Sequence, residues 1–188
     1  VFLEAAITAA LPHLAPNTAF YLWHPMLTQG TFFAAAAAAD INIHRQIIWV
    51  KPGFVLTRSG MYHWKHELAF FGWIRGNKPP WYGEKNQVSV WEIGRDDVKA
   101  EHPTQKPVEL FRRPILNHTK QGQIVYEPFA GSGSQFIAAQ ELQRKCYGIE
   151  IDPIYCQVII DRWEQFSGGK AERIERAAPQ REQPRQTK

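Results

Sequence analysis

The chain has 188 residues, 44% of them hydrophobic, with 7 Trp and a formal net charge of +4. That is enough apolar material for one full core, and too much for a chain disordered throughout. Six basic and three acidic residues fall in residues 169–188, so the body is close to neutral and global charge is weak evidence for a nucleic-acid partner.

The chain opens on Val1 rather than Met, which reads as a piece of a longer protein. Val1 to Leu11 predicts a helix already under way. Asn17 to Trp23 predicts a strand, preceded by Pro16 and followed by Pro25, and Met26 to Ala39 an Ala-rich helix. The longest wholly apolar run, Phe32 to Ala39, is too short to cross a bilayer, so no membrane partner is expected. Arg45 to Val50 predicts a second strand, ended by Lys51-Pro-Gly. His66 to Ile74 predicts a third that hairpins back on it. Between them lies a polar–aromatic loop, Thr57 to Lys65, that contains Tyr62.

Arg75 to Glu101 is rich in Gly and Pro. Lys78, Lys85 and Arg95 are interleaved there with Trp81, Tyr82 and Trp91, a mixture that suits phosphate contact plus base stacking. A surface loop anchored by its tryptophans is the competing reading. Thr104 to His118 predicts a helix with Val108, Phe111 and Ile115 on one face, and Pro114 inside it is a place for a kink.

Ile124 to Tyr126 predicts a short buried strand. Gly131 and Gly133 follow, where a strand must turn sharply into a helix and let a ligand approach the backbone. Ser134 to Arg144 predicts that helix, and Tyr147 to Ile151 a second strand ending on Glu150 and Asp152. Glu150 stands 19 residues after Gly131, close to the spacing at which an acid accepts hydrogen bonds from a ribose. The dinucleotide fingerprint is not met: Phe136 stands where a third Gly is wanted. The pattern therefore favours a nucleoside with a small polar tail over a pyrophosphate; a glycine turn with no ligand is the alternative. Ile154 to Phe166 predicts a last helix, and the polar residues 169–188 a disordered tail. Cys146 and Cys156 fit a reducing compartment, the cytoplasm, and offer no metal site.

Three stretches carry a resemblance. Glu127-Pro-Phe-Ala-Gly-Ser-Gly-Ser is similar to the S-adenosylmethionine loop of amino-methylating DNA methyltransferases, and Gly148-Ile-Glu-Ile-Asp-Pro-Ile-Tyr to their next motif. His102-Pro-Thr-Gln-Lys-Pro-Val-Glu-Leu resembles the segment that closes over the methionine end of the cofactor, and its place ahead of the glycine loop matches the β-type order. Glu127 and Ser134 replace the family's usual Asp and Thr with residues of the same chemical type.

The resemblance implies a doubly wound, Rossmann-like α/β sheet. It implies a methyltransferase domain over 1–168, with a short target-recognition loop at 75–101. It implies S-adenosylmethionine as cofactor and DNA as partner, with methyl transfer to an exocyclic amine of adenine or cytosine. Thr104, Lys106, Pro107, Glu127, Phe129, Gly131, Ser132, Gly133 and Glu150 are the implied cofactor contacts. Tyr62, with His66 and Glu67, matches a segment that helps form the pocket for a flipped base. Tyr62, Lys78, Lys85 and Arg95 are the candidate contacts to DNA or the target base.

The family's catalytic Asp-Pro-Pro-Tyr, or Asn-Pro-Pro-Trp, is found nowhere in the 188 residues. Asn77-Lys-Pro-Pro-Trp is interrupted by Lys78 and is set aside. In the β-type order the motif precedes the first helix, on a strand between those at Ile124 and at Ala19 to Trp23. The sheet is therefore expected to be incomplete on its N-terminal side, and the chain alone unstable and inactive. A catalytically silent DNA-binding relative and another nucleoside-binding enzyme on the same fold stay open.

Overall fold

The computed structural model describes residues 2–56, 61–94 and 105–175. Helix α1 (Phe2–Ala10) leads to strand β1 (Ala19–His24), helix α2 (Gln29–Ala38), the long strand β2 (Ile41–Val55) and strand β3 (Trp64–Ile74). A short strand, β4 (Val90–Glu92), precedes helix α3 (Glu109–His118). Strand β5 (Ile124–Glu127), helix α4 (Ser134–Glu141), strand β6 (Lys145–Gly148) and helix α5 (Pro153–Ser167) complete the described elements.

The strands form two sheets, one in the order β1-β3-β2-β4 and the other β5-β6. β3 runs antiparallel to both β1 and β2, whereas β2/β4 and β5/β6 are parallel pairs. β1 alternates strictly. Phe20 and Leu22 pack under α1 and α2 with Ile7, Ala35, Ala36 and Ile41. Ala19, Tyr21 and Trp23 pack on the opposite face with Trp49, Phe71, Trp91 and Leu110. That period of two puts apolar residues on both faces, and helices cover both, as in a doubly wound sheet.

α3 joins the two sheets. Leu110 sits in the core of the larger sheet. Ile115 sits with Ala138 and Ala139 in the core beside β5, and Phe111 packs against both clusters. Pro114 lies inside α3 without ending it. The helix starts at Glu109, later than the sequence predicts, and Thr104 lies outside the described residues.

β2 does not stop at Lys51-Pro-Gly. It continues to Val55 across a register shift between Val50 and Val55, and a bulge is where a strand tolerates Pro. β1 ends where His24 meets Leu68, so the β2/β3 ribbon overhangs the end of β1.

β1 and β5 point the same way. At one edge, the Lys106 ammonium lies 5.6 Å from the centre of the Trp23 ring, near the C-terminal end of β1, and also acts on Glu127 at the end of β5. At the other, Tyr21 Oη is 3.0 Å from His118 Nε2, and the Lys120 N–H donates to Gln123 just before β5. Among the described residues neither strand has a neighbour on its second edge. Both edges line one cavity of about 1490 Å³. The sheet is thus open between β1 and β5, where the family resemblance implies a further strand.

Candidate functional site

The glycine turn leaves β5 at the edge marked by Lys106. Gly131 has φ +54° and Gly133 φ +77°, a region that other residues enter only with strain. A Cβ on Gly133 would also lie 2.8 Å from Ile159 Cγ1 on α5, whereas Gly131 faces open space. Gly133 therefore closes the turn against α5, and Gly131 leaves room for a ligand. The Gln135 amide donates to the Ala130 carbonyl at 2.8 Å, the Ser134 hydroxyl to the Lys106 carbonyl at 2.7 Å, and the Arg162 guanidinium to the Ser132 carbonyl. These bonds fix the turn before anything binds.

Glu150 lies just after β6 rather than on it. Its carboxylate accepts N–H bonds from Gly131 at 2.7 Å, Ile151 at 2.8 Å and Asp152 at 2.9 Å. The acid and the glycine paired by sequence spacing do meet, but they bond to each other. A carboxylate offers about four acceptor positions, so about one is left for a sugar hydroxyl. Asp152 caps α5 by accepting from the Ile154 N–H at 2.8 Å, with Pro153 in the first turn.

Glu127 closes the other side of the turn and accepts from the Phe129 N–H at 3.0 Å. Burial pushes its carboxyl up to about 7, against the downward pull of that N–H and of Lys106. The Lys106 ammonium pairs with Glu67 at 3.0 Å, and Glu67 also meets Lys51 at 3.5 Å.

Lys106, Glu127, Phe129, Gly131, Ser132 and Glu150 all line the cavity between the sheets. Gly133 and Pro107 are buried beside it. Tyr62 is 91% exposed on the β2/β3 ribbon, which overhangs the same edge. Lys78 and Lys85 are exposed but lie elsewhere. Their loop leaves β3 at the start of β1 and is fastened to the C-terminal end of α3. There the Tyr82 N–H donates to the Asn117 carbonyl at 2.7 Å, Gln87 and Asn117 exchange two amide bonds at 2.8 Å, and His118 Nδ1 lies 2.7 Å from the Pro80 carbonyl oxygen. The Asn77-to-Trp81 segment sits at that same end, away from the glycine turn. Trp91 is buried under the Arg113 guanidinium and acts as an anchor. Arg95 lies outside the described residues.

One residue of the site escapes a spacing argument. A Cβ on Gly148 would stand 2.5 Å from Phe136 Cζ. The close helix–strand approach that a third glycine would give on α4 is made here by a glycine on β6, with Phe136 lying over it. The signal is the Gly148 that opens the second motif. Among the described residues, no group of His, Cys, Asp and Glu is arranged to hold a metal ion, and no helix is long and apolar enough to cross a membrane.

Known proteins resemble this chain in sequence and in fold. A family model described as DNA methylase matches residues 2–161. The type II methyltransferase M.Cfr9I of Citrobacter freundii is 33% identical over 137 residues, covering 64% of this chain and 44% of that protein. The type II methyltransferase M2.MboI of Moraxella bovis is 32% identical over 159 residues, covering 77% and 57%. The chain spans about half the length of the curated relatives it matches. The crystal structure of an M1.HpyAVI–SAM complex superposes with a TM-score of 0.74 at 25% identity, over 85% of this chain and 80% of that one. The cytosine-N4-specific PvuII DNA methyltransferase superposes at 0.68 over 89% and 76%, and at 12% identity it speaks for the fold alone.

Proposed function

The chain belongs to the DNA methylase family, and from that premise we propose that it forms the cofactor-binding part of an enzyme that methylates an exocyclic amine of adenine or cytosine in DNA. The observation that carries this reading is the glycine turn tied to Glu150 at the end of β5, with Lys106 across its mouth. The open space beside Gly131 and the spare acceptor position on Glu150 fit a nucleoside. The Lys106 ammonium fits the carboxylate of a methionine tail.

S-adenosylmethionine, when bound, supplies an electrophilic methyl group on its sulfonium. The chain's own residues orient it. Glu150 would accept from the ribose, the turn from Phe129 to Gly133 would hold the adenosine, and Lys106, Pro107 and Thr104 would hold the methionine end. Tyr62 on the overhanging ribbon reaches the same edge and can stack against an extruded base. Holding the two reactants in line is the chief means such a site has of lowering the barrier.

The residues that accept hydrogen bonds from the target amine are not in this set. The 188 residues contain no Asp, Asn or Ser followed by Pro-Pro and an aromatic, and the slot between β1 and β5 opens at the Gly131 edge. We place those acceptors on a strand that fills the slot. Radioactive methyl transfer to DNA, compared for this chain and for a version extended upstream with that strand, tests the reading. Transfer by the extended form alone is expected; transfer by neither overturns it. Robust transfer by the short form would put the acceptors within the 188 residues.

A further inference from the structure

We propose that a second cavity, at the opposite end of the larger sheet from the glycine turn, binds a nucleoside monophosphate, with the base among the cavity's aromatic rings and the phosphate on Arg45 and Lys78. The site shares no residue with the glycine turn, and it holds whether or not the chemistry proposed above is right.

The cavity holds about 370 Å³ between one face of β1, β2 and β3 and the loop that follows β3. That is the small end of the range for small-molecule clefts, about 300–1000 Å³. Its floor is a run of rings. The His44 ring centre lies 4.6 Å from that of Trp73, Trp73 5.6 Å from Phe71, and Phe71 5.2 Å from His118 at the end of α3. The exposed Trp81 stands edge-on to His118 at 5.3 Å. Such rings offer a base its stacking partners.

β2 is shaped to bring charge to this place. Its register against β3 shifts between Ile43 and Arg45, which leaves His44 without a partner. In an even strand His44 and Arg45 would point to opposite faces; across the bulge both line the cavity. A Cβ on Gly72 of β3 would run into the Asn42 carbonyl, so a glycine there admits the close approach of the bulged strand. Lys78 joins them from the loop. Partial burial, and then the charges of Arg45 and Lys78, hold His44 below the ordinary imidazole range, so the three groups act on one place.

That charge is not balanced by the protein. Among the described residues, no Asp or Glu lines the cavity and no carboxylate pairs with Arg45 or Lys78. The Arg45 guanidinium gives one N–H to the His44 carbonyl at 2.8 Å and keeps the others for a ligand. Two fixed cations match a phosphomonoester, which carries about two negative charges, better than a carboxylate or the single charge of a phosphate within a DNA strand. The loop wall is set beforehand. Trp81 Nε1 donates to the Glu84 carbonyl at 3.3 Å, and the Ser89 carbonyl accepts from the Ile48 N–H at 2.8 Å, so little ordering opposes binding. Gln87 and Asn117, the amides of the wall, are spent on each other. The site therefore grips a ring without reading its edge, and takes purine and pyrimidine alike.

Calorimetry on the upstream-extended protein compares dCMP, dGMP, deoxycytidine and inorganic phosphate. The two nucleotides are expected to bind within about threefold of each other, and deoxycytidine and phosphate each about tenfold or more weaker. Replacing Arg45 and Lys78 together by Gln should abolish the preference for dCMP over deoxycytidine, and Glu150→Ala should leave it intact. If the double variant does not fold, Lys78→Gln alone, on an exposed loop residue, carries the same comparison. No binding of dCMP at about 1 mM, deoxycytidine or phosphate as tight as dCMP, or a preference that survives the Gln replacements overturns the proposal. Loss of dCMP binding in Glu150→Ala also overturns it, because the nucleotide would then lie at the glycine turn. So does displacement of dCMP by an equal concentration of unphosphorylated oligodeoxycytidine, which would assign the cavity to DNA.

Discussion

Glu150 is asked to do two things with one carboxylate. It holds the glycine turn through Gly131 and the start of α5 through Ile151 and Asp152, and it offers its remaining position to a ligand. Removing it, as in Glu150→Ala, is expected to weaken S-adenosylmethionine binding by about 1–3 kcal/mol. Calorimetry on the upstream-extended protein checks this, and unchanged affinity would rule out the ribose role. Glu127 makes a different prediction. Burial raises its carboxyl from the ordinary range to about 7, so between those values the folded chain holds a proton that the unfolded chain has lost. Stability contributed by that proton is complete below the ordinary carboxylate range and is lost as pH rises through about 7. Denaturant unfolding is expected to show a fall of about 2–3 kcal/mol from about pH 5 to about pH 8. Glu127→Gln should flatten that fall. A wild-type chain whose stability does not change over this range would show that the carboxylate is solvated. The sequence made Gly131, Gly133 and Glu150 legible because a turn and an acid at a fixed spacing constrain each other. It could not show that Phe136 is received by Gly148, since that contact joins α4 to β6 and depends on how closely they pack.

At the scale of elements, length and flanking residues decided what could be read. α1, β1 and α5 have long patterned runs, and their predicted and observed bounds nearly agree. β4 has three residues inside a stretch of turn formers, and exists because the Ser89 carbonyl and Val90 to Glu92 meet β2; nothing local announces it. The loop that the sequence offers for DNA divides in space. Lys78 and Lys85 sit by the C-terminal end of α3, while the ribbon that carries Tyr62 and Lys65 overhangs the edge with the glycine turn. Two sets of variants separate these surfaces. If the loop touches DNA, replacing Lys78 and Lys85 by Ala should flatten the log–log salt dependence of binding, by up to about one unit for each phosphate no longer neutralised. If the slope holds there but falls with Lys65→Ala, the duplex lies across the ribbon.

At the scale of the whole molecule, the gap in the sheet decides most properties. The resemblance placed a missing strand between β5 and β1, and the open edges stand at that place. Unpaired backbone groups facing a dry gap would cost about 1–3 kcal/mol each, against a typical domain stability of about 5–15 kcal/mol. A cavity of about 1490 Å³ is large enough for many waters. Its edge groups can be hydrated, and the cost falls instead on apolar walls left wet.

α3 has a further consequence, for cooperativity. A continuous sheet couples its halves through a ladder of hydrogen bonds, so that neither can melt without the other. Here the ten-residue α3, with Leu110 at one end and Ile115 toward the other, packs into both cores, and Lys106 adds a second tie through Ser134 and Glu67. The two sheets are therefore coupled through side chains rather than through a shared ladder. The β5-β6 unit has the smaller core and is the one free to open first. It is also the unit that holds the glycine turn. Whatever fills the slot sets how rigid that turn is, so a strand there and a ligand at Gly131 would each strengthen the other's binding.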